Sequence, residues 1–367
     1  MKIGVLTSSR ADYGIYLPLL SKLKKDSFFN LEIIAFGTHL SEKHGFTLSN
    51  IVEDGYDTIH EITSLIDDDS EKGIVTSYGK TVIEFSGFWD SQKFDLVFCL
   101  GDRFEMSAAV QASIPYGVKL AHIHGGETTL GAIDNVYRHQ ITLASKLHFV
   151  STIDYKKKVE EVTGTTENIY DVGALSLDNI SNFQPTEKQF FLEKFQIKNE
   201  DYALVTFHPE TVDIESNFSH TKQMINALKI ISDELNIVIT MPNADTLGSI
   251  YREQLKKLKV QIPGKIVLVE NFGKVNYFTA MHYAKLMIGN TSSGIIEAAS
   301  FNKYVINVGD RQKGRARGNN VFDIEFDSEK IVNLTKQVLN LSYSGNDNIY
   351  FKSDTADSLI KIIKKYD

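Results

Sequence analysis

The sequence predicts an α/β protein of two successive doubly wound domains, each a parallel sheet covered by helices on both faces. Three observations point there. Short apolar runs alternate with segments of helical spacing, the runs are apolar throughout rather than at every second residue, and the same alternation restarts after residue 180. Runs at 3–6, 32–36, 96–100, 120–123 and 147–150 form the first set of predicted strands. Runs at 204–207, 237–240, 266–269, 286–288 and 304–308 form the second. Helical spacing follows, as in Ile15, Leu19, Leu20 and Leu23, and at 104–113, 224–235 and 295–300. A chain of 367 residues is long enough for two cores. The polar stretch 176–200, broken by Pro185, carries the boundary, so the expected domains are 1–175 and 176–350. Residues 351–367 contain an amphipathic helix at 355–365, whose Leu359, Ile360, Ile362 and Ile363 must dock on a neighbour. The segment 61–72, with Asp67, Asp68 and Asp69, lacks apolar periodicity and reads as a solvated loop or a mobile lid.

Composition excludes several classes of function. Hydrophobic residues are 42% and charged residues 23%, a folded globular balance. Lys plus Arg is 39 against 47 Asp plus Glu, a net charge of −8, so neither nucleic acid nor an anionic membrane is an expected partner. An anionic ligand must then be held by a local cluster. The single cysteine, Cys99, cannot form an internal disulfide, which fits a reducing compartment. The first apolar run is too short for a secretory signal, and no stretch approaches the ~20 apolar residues that cross a bilayer. A cytoplasmic location is expected.

Ligands of doubly wound sheets sit beyond the carboxyl ends of the strands, so with two such domains the cleft between them is the expected site. The chemically unusual residues follow predicted strands. After the first comes Thr7-Ser8-Ser9-Arg10-Ala11-Asp12-Tyr13-Gly14, which suits a phosphate or, equally, an ordinary helix cap with a surface arginine. After the third comes Gly101-Asp102-Arg103, where Asp102 is either an N-cap or a carboxylate in the cleft. The densest segment runs from His122-Ile123-His124-Gly125-Gly126-Glu127 to Asp134, with Arg138 and His139 beyond. His122 and His124, two apart on a strand, would share a face, and Glu127 or Asp134 could complete a metal site, but no HExxH or cysteine ligand set supports one. A structural role suits His122 better. Asp134 precedes a helical pattern that capping explains, whereas Glu127 beside a Gly-Gly turn has little packing purpose.

In the second half, His208 in Phe207-His208-Pro209-Glu210-Thr211 suits proton transfer or phosphate binding. Asn243 follows the next strand. Gly289-Asn290-Thr291-Ser292-Ser293-Gly294 is a hydroxyl-rich anion cradle, and Glu297, about one turn into the helix, is placed for paired ribose hydroxyls. Gly309-Asp310-Arg311-Gln312-Lys313-Gly314-Arg315-Ala316-Arg317 is the most cationic stretch and suits a diphosphate. Carboxylates in one domain and a nucleoside-diphosphate half site in the other suggest chemistry on the sugar of a nucleotide-sugar.

With these motifs in this order, the sequence resembles the hydrolysing UDP-N-acetylglucosamine 2-epimerases through nearly its whole length. The likeness rests on Ser9-Arg10-Ala11-Asp12-Tyr13, Gly101-Asp102-Arg103, the 122–127 segment with Ile133-Asp134 and Arg138-His139, Phe207-His208-Pro209, the 289–294 turn and the 309–315 stretch. Non-hydrolysing relatives carry a Gly-Thr-Arg-Pro-Glu-type first turn, unlike Ser8-Ser9-Arg10-Ala11-Asp12 here. Some members carry a glutamate where His124 stands, with one residue fewer before the Asp134 position.

The resemblance implies the glycosyltransferase-B architecture, two facing Rossmann-like domains with the last helix returning to the first. It also implies a reaction: anti elimination of the C2 proton and UDP to a 2-acetamidoglucal, then hydration with inversion at C2. Asp102, Glu127, Asp134 and His208 are the implied catalytic set. Arg10, Arg103 and Arg311, with His208, would hold the diphosphate, while Thr291, Ser292 and Ser293 add donors, Glu297 binds ribose and Asn243 lines the nucleotide pocket. No cofactor is required: there is no redox step, no Gly-x-Gly-x-x-Gly after the first strand and no need of a metal. A homodimer or homotetramer is expected. UDP-N-acetylglucosamine is the first-choice substrate. UDP-N,N′-diacetylbacillosamine or a GDP-linked sugar of the legionaminic acid route, a transferase of the same fold, the non-hydrolysing epimerase and a non-catalytic nucleotide-sugar-binding protein are the alternatives.

Overall fold

A computed structural model of the chain describes residues 1–242, 247–343, 345 and 348–366. Two compact units are present. The first comprises Met1–Glu127, Asp134–Ile180 and Tyr350–Asp367, and the second Thr128–Ile133 and Ser181–Ile349.

The first unit is built on β1 (Lys2–Thr7), β2 (Asn30–Phe36), β3 (Ile59–Ile62), β4 (Leu96–Leu100), β5 (Leu120–Ile123), β6 (Leu147–Val150) and β7 (Ile169–Asp171). Their order is β3-β2-β1-β4-β5-β6-β7, every pairing parallel. Alternate residues feed two cores. Leu96, Phe98 and Leu100 join Tyr16, Leu19, Leu20 and Leu23 of the helix Arg10–Lys25, while Val97 and Cys99 join Phe85, Trp89 and Met106 on the opposite face. Burial on both faces is why these strands read as unbroken apolar runs.

The expected final helix forms over Thr355–Tyr366 and packs on the first unit. Ala356, Leu359 and Ile363 are fully buried in the core with Leu19 and Leu23. Lys22 pairs with Asp357 at 2.8 Å, and Asp178 Oδ1 accepts the Ala356 N–H at 2.9 Å.

The second unit is built on β8 (Tyr202–Thr206), β9 (Asn236–Thr240), β10 (Ile266–Val269), β11 (Leu286–Gly289), β12 (Val305–Val308) and β13 (Val321–Ile324). The order is β10-β9-β8-β11-β12-β13, again all parallel.

Several local expectations are corrected. β3, β7 and β13 were not anticipated. The first two residues of the 61–72 segment complete β3, and its last two open the helix Glu71–Ser91, capped by Ser70. The helix expected at 224–235 runs Asn217–Ile231, and that expected at 295–300 is Ser292–Ile296 followed by a 3-10 turn, Ala298–Phe301. No helix among the described residues is long and apolar enough to cross a membrane.

Candidate functional site

Each sheet has a point where strand order reverses, between β1 and β4 in the first and between β8 and β11 in the second. Crevices open beyond the carboxyl ends of such strand pairs. The loops following all four strands carry sequence-derived candidates.

In the first unit a buried acid–base cluster forms around Arg138, in the helix Asp134–Ala144. Asp102 is not a helix cap: the N-cap of Phe104–Ser113 is Arg103, and the Asp102 carboxylate pairs with Arg138 Nη2. Arg138 Nη1 donates to the His124 carbonyl at 2.8 Å and lies 3.6 Å from Glu127 Oε2. Glu127 Oε1 accepts from Ser151 Oγ at 3.0 Å and sits 2.7 Å from His124 Nδ1. One guanidinium thus compensates two carboxylates in a site where unpaired charge would be costly. Gly126 makes the inward turn possible. Its φ is +79°, and a Cβ there would come within 2.4 Å of the Tyr155 carbonyl oxygen.

His122 takes the structural role. Its Nε2 lies 2.9 Å from the Gly101 carbonyl and its Nδ1 3.1 Å from Thr142 Oγ1, tying down the residue before Asp102. Burial pushes this ring down to about 3. The expectation that His122 and His124 share a strand face fails, because β5 ends at Ile123 and His124 adopts a left-handed φ of +65°. With both nitrogens of His122 engaged, the paired-histidine metal reading fails too. No group of three or more metal-ligating side chains occurs among the described residues. Asp134 is the half-buried first residue of its helix.

The turn after β1 is filled by the protein itself. Asp12 Oδ2 accepts from the Ser8 N–H at 3.0 Å and Ser8 Oγ at 2.6 Å, Oδ1 accepts from Ser9 Oγ at 3.0 Å, and Ser9 caps the helix. The donors expected for a phosphate are therefore spent on a carboxylate, which is the capping reading. Arg10 is half-buried. Burial raises Asp12 while the Arg103 charge lowers it. Arg103 Nη2 pairs with the buried Glu105 at 2.9 Å. Glu105 is likewise raised by burial, against the lowering pull of Arg103.

In the second unit, Asn290 and Glu210 draw the strand-exit loops together. Asn290 Oδ1 accepts the His208 N–H at 2.7 Å and Nδ2 donates to the His208 carbonyl at 2.9 Å. Glu210 Oε1 accepts the Asp310 and Arg311 N–H groups at 2.6 and 3.2 Å. Gln312 Nε2 donates to the Asn290 carbonyl at 2.9 Å. The cationic 309–317 stretch is thus laid against both switch-point loops. Not all its charge is available to a ligand: Arg317 pairs with Asp323 and donates to the Gln312 carbonyl. Arg311 is half-buried and Arg315 buried. The segment Thr128–Ile133 packs against the same stretch, with Leu130 N–H to the Lys313 carbonyl and Ile133 N–H to Thr211 Oγ1, both at 2.9 Å.

Gly289 cannot be replaced without moving a strand, since a Cβ would lie 1.8 Å from the Thr206 carbonyl oxygen. Thr291 is the N-cap of Ser292–Ile296, with Thr291, Ser292 and Ser293 all half-buried. Glu297 is not inside this helix but at its C-cap, where it is buried. The Tyr277 hydroxyl lies beside Ser293, Thr206 and Glu297, and burial pushes it up to about 12. Asn243 falls outside the described residues.

The sequence profile of the family described as "UDP-N-acetylglucosamine 2-epimerase" matches residues 21–364. This chain belongs to that family. It is 33% identical over 325 residues to the Campylobacter jejuni GDP/UDP-N,N′-diacetylbacillosamine 2-epimerase (hydrolyzing), covering 88% of this chain and 84% of the relative. It is 31% identical to the Escherichia coli polysialic acid biosynthesis protein P7, covering 100% and 94%. A Legionella pneumophila UDP-N,N′-diacetylbacillosamine 2-epimerase (hydrolyzing) is 30% identical over 99% of this chain and 95% of its own. The fold matches the crystal structure of UDP-GlcNAc 2-epimerase from Neisseria meningitidis bound to UDP-GlcNAc, with a TM-score of 0.82 at 15% identity over all of both chains.

The fold expected from the sequence, Rossmann-like parallel-sheet domains of glycosyltransferase-B type with the last helix on the first, is the fold of this epimerase family member. Asp102 and Glu127 meet in one cluster, and His208, Asn290 and the Arg311 loop in another. Sequence reasoning missed what assembles them. Arg138 was visible in a motif, but its pairing with Asp102 was not. Glu210 was visible beside His208, yet its partners lie about a hundred residues away.

Proposed function

We propose that this epimerase family member is a hydrolysing 2-epimerase that converts a UDP-linked 2-acetamido sugar into UDP and the free C2-inverted sugar. The first unit supplies the proton-transfer machinery, in which Asp102, Glu127 and Asp134 take part. The second supplies the donors for the nucleoside diphosphate. His208, Arg311 and the Thr291, Ser292 and Ser293 hydroxyls take the phosphates with Arg10 and Arg103, and Glu297 takes the ribose. The observation that carries the reading is the Arg138 cluster. Elimination from a weakly acidic C–H requires a base kept in its proton-accepting state in a dry setting, and the buried Arg138 holding two carboxylates supports such a setting. Donors for the departing diphosphate stabilise charge as it develops.

UDP-N-acetylglucosamine, giving N-acetylmannosamine, is the first substrate to test. A second reading, UDP- or GDP-linked diacetylbacillosamine, is favoured by the names of two relatives at 33% and 30% identity. Incubating the enzyme alone with each nucleotide-sugar in deuterated water, with products identified by proton NMR, tests all of these. Free sugar carrying deuterium at C2 supports the reading. An epimerised nucleotide-sugar would make the enzyme non-hydrolysing, and a requirement for an acceptor would make it a transferase.

A further inference from the structure

Within the Arg138 cluster, Glu127 is poorly placed to touch a substrate. It is 2% exposed, and its oxygens face His124, Ser151 and Arg138. His124 is placed differently. Its backbone sits in the left-handed region, unusual for a residue with a side chain and held only where the surroundings enforce it. They do: the His124 N–H donates to the Phe149 carbonyl at 2.9 Å, and its carbonyl accepts from Arg138 at 2.8 Å. The effect is to swing the ring off the strand so that Nδ1 meets the Glu127 carboxylate.

The other ring nitrogen is the informative one. Nε2 of His124 is buried and has no hydrogen-bond partner among the described residues. His122, two residues earlier, has both nitrogens engaged. Leaving a buried polar atom unmatched is costly, so a bond made to something not part of the chain is the natural account.

Resting on the hydrolysing-epimerase reading above, we propose that His124 Nε2 is the base that removes the C2 proton and that Glu127 is its positioning residue. Because a carboxylate can only accept, Nδ1 carries the proton toward Glu127 and Nε2 presents its lone pair. In the step, Nε2 takes the C2 proton and the C2–H electron pair becomes the C1=C2 double bond. The C1–O bond breaks, and its pair departs on the nucleoside diphosphate. The imidazolium formed is stabilised by Glu127, whose own charge is held by Arg138. Inversion requires the proton of the second step to reach C2 from the opposite face, so an acid other than His124 serves the hydration, protonating C2 as water bonds to C1 and recovering the proton that this water sheds, while His124 returns its own proton to solvent. The charged and titratable groups that face His124 are Glu127, Arg138, His122 and, through Arg138, Asp102.

The test compares wild type, His124→Gln and Glu127→Gln with the nucleotide-sugar panel in deuterated water, alongside UDP binding by calorimetry and nitrogen-15 NMR of the His124 ring. His124→Gln is expected to slow nucleotide release by about 10²–10⁴-fold, the range for loss of a general base, with UDP affinity changed less than about 3-fold. Glu127→Gln is expected to move the acid limb of the kcat/KM profile to lower pH, because the imidazolium loses its anion, and to lower kcat with little change in KM. A His124→Gln enzyme within about tenfold of wild type overturns the proposal. So does an acid limb unmoved in Glu127→Gln, which decides the matter should His124→Gln fail to fold. If wild type gives an epimerised nucleotide-sugar, the hydrolysing reading falls, while loss of C2 deuterium exchange in His124→Gln still supports the base. If no sugar is turned over, the ring spectrum decides: a proton on Nδ1 that shifts on Glu127→Gln supports the dyad, and a proton on Nε2 overturns it.

Discussion

The side chain of Asn290 grips the main chain of His208 at both its polar groups, accepting from the N–H at 2.7 Å and donating to the carbonyl at 2.9 Å. A side-chain amide carries both a donor and an acceptor, whereas a carboxylate can only accept. This bond pair joins the exits of β8 and β11, and Gln312 extends it to the cationic loop. Replacing Asn290 with Asp keeps the shape but sets a carboxylate oxygen against the His208 carbonyl. The Asp variant should lower thermal stability by about 1–3 kcal/mol, since a buried acceptor is left unmatched. It should also weaken UDP binding, measured by calorimetry, more than it changes binding of the free sugar.

Asp102→Asn should abolish most turnover, by about 10²–10⁴-fold if the carboxylate takes part in proton transfer. UDP affinity should stay within a few-fold, because Asp102 spends its bond on Arg138 and is not one of the proposed diphosphate donors. Stopped assays for released UDP, with calorimetry, check both halves. Normal turnover would remove Asp102 from the mechanism.

Leu359→Ala tests the return of the last helix. Leu359 is fully buried in the core with Leu19 and Leu23. Its truncation should cost about 2–5 kcal/mol of the first unit's stability, read as a lower urea midpoint.

Three buried histidines give a pH signature. Burial holds His122 at about 3 and both His39 and His148 at about 4, against an ordinary 6.5. The folded protein refuses protons that the unfolded chain accepts, so these groups cost stability progressively as pH falls from 6.5 to about 4, and His122 on to about 3, and nothing above 6.5. Ring nitrogen-15 shifts of His122, His39 and His148 should stay at neutral-imidazole values from pH 8 to about pH 5. A midpoint near 6.5 for any of them would contradict its burial.

The central strands were legible because burial on both faces leaves a continuous apolar run, as in Leu96-Val97-Phe98-Cys99-Leu100. The strands missed, β3, β7 and β13, are the sheet edges or near them, short and only half-buried, so their composition carries no such run. Candidate residues were legible where a strand exit concentrates Gly, His and carboxylates. What local sequence could not show is where a side chain spends its bonds. Asp12 resembles a helix-turn residue yet occupies the turn that a phosphate would need. Glu210 bonds to amides a hundred positions later, and Arg138 reaches back to Asp102. His124 was concealed by a single dihedral sign, since one left-handed residue cancels the alternation on which its orientation had been judged.

The residence of Thr355–Tyr366 among Tyr16, Leu19 and Leu23 has a bearing on biosynthesis. The amino-terminal sheet emerges first from the ribosome but cannot close its helical cover until residues 355–366 have been translated. The intervening Ser181–Ile349 can complete its own sheet meanwhile. The half of the protein that starts earliest therefore finishes last, and a ribosome stalled before codon 355 would leave an apolar groove uncovered for chaperones or proteases to find.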